Sequence, residues 1–220
     1  MVACPESLDM ELVIPLDITV PWALINRIKA ESSPCSVFEA VLAILWWCRV
    51  RATMSSSPGT TATRPVYLTF AANVRRHVGA KDGYYGNCVV NQLVAAAASA
   101  GVVDLARMIR RAKDQLPEKL KEEDDEGGRL MMRGLSARYD MLNVSSWRNV
   151  GFEQVDFGSG APARVMFHGP GKAAPPVPIC MVYPPCKGKD GVNVLSISMK
   201  KEHADAFLGE LADLCKASVS

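Results

Sequence analysis

Seven cysteines are scattered over 220 residues, an odd number with no C-x-x-C pair among them. Thiolate zinc sites and redox dithiols need that close spacing, so neither is supported. A G-x-S-x-G elbow is missing, and so are the phosphate-loop and dinucleotide fingerprints. Gly158-Ser-Gly160 comes nearest to the last, but Ala-Pro-Ala follows it where a further glycine would open a helix. No apolar run approaches the ~18 residues needed to span a bilayer. The longest candidate, Val37 to Val50, is interrupted by Glu39 and Arg49. Net charge is only +2, which gives no reason to expect nucleic acid or an anionic membrane as partner. The first residues lack the charged start and apolar stretch of a secretory leader, so a reduced, cytoplasmic protein is expected.

What the chain does have is ordinary globular composition, 49% hydrophobic and 22% charged, enough for one sizeable core. Leu12 to Thr19 reads as an irregular extended segment, with Thr19 capping a helix over Pro21 to Ala30. Ser36-Val-Phe-Glu39 is a capping box, in which hydroxyl and carboxylate each satisfy the other residue's amide. The Ala40–Val50 run behind it is apolar all round and should be a buried helix, with Trp22, Trp46 and Trp47 filling the core. Met54 to Pro65 is a loop. Val66–Phe70 and Cys88–Val94 are strands, and Asp104–Leu116 is an amphipathic helix ended by Pro117. Lys119 to Glu126 is a solvated charge run. Short strands are expected at Glu153–Asp156, Ala163–Phe167 and Pro178–Val182, with a half-buried strand through Leu195, Ile197 and Met199. A last helix over Ala204–Cys215 should turn Phe207, Leu208, Leu211 and Leu214 inward. The outcome is a mixed α/β fold, helices covering a mixed sheet.

Several short blocks stand in order along this framework: Ile25-Asn-Arg-Ile-Lys-Ala30, Ser36-Val-Phe-Glu39, Trp47-Cys-Arg49, Ala72-Asn-Val-Arg75 and Gly83-Tyr-Tyr-Gly-Asn87. Ser145-Ser-Trp147, Asp156-Phe-Gly-Ser-Gly160, Phe167-His-Gly-Pro-Gly171 and Glu202-His-Ala-Asp-Ala-Phe207 follow. Together they resemble the C-terminal half of the BAHD acyltransferases, plant enzymes that move an acyl group from coenzyme A to an alcohol or amine. The spacing is most similar to the benzoyl-, acetyl- and hydroxycinnamoyl-transferring members. The resemblance implies the C-terminal domain of a chloramphenicol-acetyltransferase-like two-domain fold. On that reading residues 1–20 are a remnant of the inter-domain connection and residues 21–220 the C-terminal domain.

In that family a histidine of an H-x-x-x-D motif deprotonates the acceptor, a general-base step that typically contributes about 10²–10⁴-fold. Here His77 is followed four residues on by Lys81, His168 by Lys172 and His203 by Phe207. No catalytic residue is therefore assigned, and the N-terminal domain bearing that motif is expected to be absent. His77 and His203 are expected at the surface, and His168 in a loop.

For acyl-CoA, the co-substrate, the resemblance points to Ser36, Arg75, Arg76, Ser145, Ser146 and Trp147. A helix N-terminus and arginines suit phosphate, yet Ser36 could be a cap only and Ser145–Trp147 merely a strand end. The resemblance also implies that Asp156, beside Phe157, Gly158 and Gly160, pairs with Arg75, the alternative being an exposed loop carboxylate. Ser159 stands where the family has tryptophan, removing ~150–250 Å² of potential contact. Partners implied are acyl-CoA, a small alcohol or amine, and an N-terminal acyltransferase domain or intact relative. From another class, a non-catalytic binding or scaffold protein derived from the family also fits. In either case the face that would meet the other domain should be apolar and prone to association.

Overall fold

The computed structural model describes residues 13–55, 63–121, 139, 141–166 and 177–217. Its backbone is a six-stranded mixed sheet in the order β1-β6-β5-β4-β2-β3. The strands are β1 (Val13–Pro21), β2 (Pro65–Asn73), β3 (Val89–Ala97), β4 (Met141–Ser146), β5 (Ile179–Tyr183) and β6 (Gly191–Lys200). β2, β4 and β5 run parallel in the middle, while β3, β6 and β1 pair antiparallel around them. The helices are α1 (Trp22–Glu31), α2 (Val37–Ser55), α3 (Val102–Asp114), the single turn α4 (Leu116–Lys119) and α5 (Lys201–Lys216).

One row of cross-strand neighbours explains the layering. Phe70 lies opposite Val144, Val144 opposite Cys180, and Cys180 opposite Ser196. The next such row runs through Val182, Val194 and Ile18. All these residues are buried, and the apolar ones join a single core with Leu24, Ile25, Ile28, Leu42, Leu45, Leu105, Ile109, Phe207 and Leu211 from the helices. The helical layer thus covers one face, and alternation sends the intervening residues to the other. α2 is the central helix: Val41, Leu42, Ile44, Leu45 and Trp46 are almost wholly inaccessible. Each such side chain contributes about 1.5–3 kcal/mol by leaving water.

Most of the expected elements are present, with instructive departures. Val13–Pro21, part of the stretch read as a connection, is a regular edge strand with one register shift between Ile14 and Leu16. Its β-branched residues pair with β6 throughout. Pro21, not Thr19, stands at the cap position of α1, and no side chain caps it. Glu153–Asp156 is not a strand: Phe152–Gln154 forms a 3-10 turn, and 163–166 is irregular. Neither stretch has a sheet partner, so alternation alone was not enough. β6 turns the other way from the expected half-buried strand: Ser196 and Ser198 are buried and bond each other at 2.8 Å beneath the helices, while Leu195 and Ile197 are half-buried on the opposite face. Trp46 is enclosed, whereas Trp22 and Trp47 are only half-buried. In α5, Phe207 and Leu211 point inward, but Leu208 is exposed, since it falls off the i, i+4 stripe.

His203 is the clearest correction to the surface reading. It is buried, and its Nδ1 lies 2.9 Å from the Tyr139 hydroxyl. His77 is exposed; His168 and the Phe167–Gly171 block lie outside the described residues. The six described cysteines are free thiols, and burial pushes those of Cys48 and Cys180 up, leaving them unreactive.

Gly209 supplies a simple test of the helical layer. It is exposed within α5, with nothing within 4 Å of the Cβ it lacks. Gly209→Ala should stabilise the chain by about 0.5–1 kcal/mol, read as a higher urea midpoint at unchanged slope.

Candidate functional site

Register brings the sequence-selected residues to one end of the sheet. β2 and β4 are parallel, with Phe70 opposite Val144, so Asn73 and Trp147, three residues further on, end at the same level. Arg75 and Arg76 leave that end of β2; Ser145, Ser146 and Trp147 close β4. α2 begins there too, since Phe38 meets Phe70 edge-on at 5.6 Å. Its later residue Arg49 reaches the Ser198 carbonyl at the opposite end. Ser36, Arg75, Arg76 and Ser145–Trp147 therefore gather at the C-terminal ends of the parallel strands. In open α/β sheets that edge is where ligands usually bind.

The Ser36 cap is fully engaged within the protein. Its amide donates to Glu39 Oε2 at 2.9 Å, and its hydroxyl accepts from the Glu39 amide at 3.3 Å. Glu39 is buried, yet Lys113 of α3 donates to its Oε1 and Arg110 lies 3.9 Å from Oε2. Burial alone would raise the Glu39 carboxyl, but the Lys113 and Ser36 hydrogen bonds outweigh it and hold the group below the usual carboxylate range. The capping box thus also ties α2 to α3.

Ser145, Ser146 and Trp147 do not act as one surface. Ser145 is opposite Met181, on the face away from the helices, whereas Ser146 is opposite Val182, on the helix side. The pleat separates them. Trp147 follows on the open face, where its ring meets Tyr183 at 6.0 Å and Phe152 at 5.7 Å. Its amide donates to the Val182 carbonyl at 2.7 Å. Arg148 next to it lies over Trp22 at 5.8 Å.

Arg75 and Asp156 are not paired. The Arg75 guanidinium donates to the carbonyls of Tyr84 (3.2 Å) and Gly86 (2.5 Å) and lies 5.6 Å from the Tyr84 ring centre. It locks the β2–β3 connection that contains Gly83–Asn87. Asp156 is an exposed loop carboxylate whose Oδ1 accepts from the amides of Gly158 (2.7 Å) and Gly160 (2.9 Å). Both glycines have positive φ, 92° and 89°, so the loop closes on itself as only glycine readily allows. Phe157 projects from it, 93% exposed, and Tyr85 from the Arg75-locked loop is entirely exposed. Arg76 is also exposed.

Other residues of this region are not signalled by any motif. Arg164 reaches Asp17 of β1 at 2.5 Å, fastening the chain beyond the Asp156 loop across the open face. Tyr183 and Asn193, cross-strand neighbours, are both buried on that face. A tyrosine closing the alternating Ile179–Tyr183 run was the one available hint. No cluster of three or more metal-ligating residues occurs among the described residues.

A two-layer mixed sheet with glycine-rich loops and exposed aromatics at one strand edge fits a transferase lobe. The profile of the Transferase family matches residues 26–213, and the chain belongs to that family, the BAHD acyl-CoA-dependent acyltransferases. It is 40% identical to acyl transferase 15 of Oryza sativa subsp. japonica over 212 residues, 90% of this chain and 46% of the relative. It is 34% identical to myricetin 3-O-glucosyl 1,2-rhamnoside 6'-O-caffeoyltransferase AT1 of Crocosmia x crocosmiiflora, covering 84% and 43%. Among solved structures, vinorine synthase superposes with a TM-score of 0.67 at 20% identity, over 92% of this chain and 48% of that one. TRI101 of F. sporotrichioides, solved with coenzyme A and T-2, gives 0.64 at 20% identity, over 88% and 49%. The chain spans about half the length of the curated relatives it matches.

Proposed function

We propose that this chain supplies the coenzyme-side half of an acyl-CoA-dependent acyltransferase acting on a small alcohol or amine. The general base comes from a segment bearing H-x-x-x-D, docked against the edge where Phe157 and Tyr85 protrude. The observation that supports the proposal is that the loops leaving the C-terminal ends of β2 and β4, which carry Arg75, Arg76 and Trp147, also carry two aromatic rings exposed to 93% or more. A ring left in water has a surface to offer a second lobe. The names of the relatives support the acyl-transfer chemistry, and the solved complex of TRI101 with coenzyme A and T-2 supports both kinds of substrate.

In this reading the base removes the acceptor's proton, the acceptor oxygen or nitrogen forms the new bond to the thioester carbonyl, and the carbon–sulfur bond breaks. Coenzyme A leaves as the thiol, taking up a proton. The chain's own part is to hold the coenzyme. Arg76, exposed, meets phosphate, while Arg75 keeps the β2–β3 loop in shape. Ser145 and Trp147 line the open face, and Ser36 keeps the α2 N-terminus formed. Six free thiols support a reducing compartment, and we take it to be the cytoplasm.

Ser159 in place of the family's tryptophan favours the second reading, a binding protein that retains the coenzyme surface without turnover. Both readings expect the purified chain to melt at higher temperature with coenzyme A present. Both also expect no free thiol above the buffer control when acyl-CoA and a panel of alcohols are added. They part when a polypeptide carrying the H-x-x-x-D half of a rice relative is supplied. Thiol release that then depends on both chains supports the enzyme; binding without release supports the scaffold. Turnover by the chain alone would overturn the assignment of the base.

A further inference from the structure

At the end of the sheet remote from the candidate site, four elements close around one imidazole. His203 stands in the first turn of α5, buried, with its ring stacked on Tyr139 at 5.7 Å. Tyr139 stands two residues before β4. Its hydroxyl accepts the Lys200 amide of β6 at 3.0 Å and lies 2.9 Å from His203 Nδ1. Its carbonyl accepts from the Arg49 guanidinium of α2, which also stacks on its ring at 4.7 Å. The Lys200 ammonium lies 5.2 Å from the same ring, and Glu202 Oε1 is 3.8 Å from His203 Nε2.

The tautomer follows from the neighbouring carboxylate. Glu202 beside Nε2 favours the imidazole proton on that nitrogen. Nδ1 is then bare and accepts the hydrogen of the Tyr139 hydroxyl, which itself accepts from the Lys200 N–H. We propose that this arrangement is an acid-released latch: neutral His203 holds the chain entering β4 against α5 and β6, and protonation at Nδ1 undoes it. A proton on Nδ1 turns the acceptor into a donor and leaves the Tyr139 hydrogen without a partner. It also places a third cation near Arg49 and Lys200, beside Glu202. Burial first, and these two cations with it, hold the imidazole below the ordinary histidine range against the pull of Glu202.

The sign follows from that depression. The unfolded chain takes up the proton first as pH falls, so the latch's contribution is present above the ordinary imidazole range near ~6.5 and is lost as pH drops through the lower native value. What the latch ties down is the entrance of β4, the strand whose far end carries Ser145 and Trp147.

Two-dimensional NMR of the 220-residue chain tests this, following the His203 ring and the exchange of the Lys200 amide as pH is lowered. His203 should titrate below the ordinary range, and the Lys200 amide should lose at least ten-fold of its protection in step with it. Tyr139→Phe should move the His203 midpoint to higher pH, because the bond that favours the neutral ring is gone. His203→Phe should remove the acid-dependent step in amide exchange. A His203 midpoint at or above the ordinary range, or Lys200 protection that ignores it, overturns the latch, and either result is readable in the unmodified chain.

Discussion

Glu39→Ala is expected to cost about 2–4 kcal/mol and to lower the thermal midpoint by roughly 5–15 °C. Three losses combine. The Ser36 amide loses its acceptor at the start of α2, worth about 0.5–2 kcal/mol. The Lys113 ammonium loses its nearest anion, and because its side chain is still 35% accessible, water offsets part of that loss. The buried stem of Glu39 leaves a small void between α2 and α3. Glu39→Gln should fall between the two, since an amide oxygen still accepts from Ser36 while the charge is gone. The acid side of the stability curve should change as well. The native carboxyl is held below its unfolded value of 4.5, so its contribution is complete above that value and fades as pH falls through the native one. Wild-type and Glu39→Gln stabilities should therefore draw together as pH falls below 4.5 towards the lower native value. Urea melts at pH 7 and at pH 3.5 provide the check; a difference that persists undiminished in acid would remove Glu39 from this role.

A larger loss is expected from Gly191→Ala. Gly191 opens β6 with φ 154°, and a Cβ there would stand 2.3 Å from the Val20 carbonyl oxygen and 2.8 Å from Thr19 Cγ2. Carbonyl oxygen in a strand cannot swing aside as a side chain does, so β1 must separate from β6. Overpacking of this kind costs about 1–3 kcal/mol and unfavourable backbone a further ~1–3 kcal/mol, together roughly 2–6 kcal/mol. Gly188→Ala is the control. Its φ is 79° but nothing lies within 4 Å of the added methyl, so only the backbone cost of about 1 kcal/mol applies. If the two variants melt alike, close approach is not what demands glycine at 191.

These residues also show how far the sequence could be read. The capping box was legible because both partners lie within three residues, and α2 because its apolar character is all-round. Lys113 and Arg110, 74 and 71 positions beyond Glu39, had no local signature. The same limit governs Asp156. The family resemblance implied its pairing with Arg75, but a short carboxylate followed by two glycines finds nearer donors in its own loop. His203 looked peripheral because it opens a helix among charged neighbours, while the ring that covers it comes from 64 residues upstream. Ser145–Trp147 does end a strand, the plainer of the two readings offered for it, but β4 itself was not expected, and the direction in which each side chain points depended on the pleat and its neighbours, which no single stretch reveals.

The partnership of β1 with β6 has a consequence for biogenesis. Val20 leaves the ribosome about 170 residues before its cross-strand neighbour Val192. At ~5–20 residues per second, the first described strand waits roughly 10–35 s for its mate. During that interval an apolar edge rich in valine and isoleucine is available to other chains, so the yield of soluble protein is expected to respond to chaperones and to translation speed between the two strands.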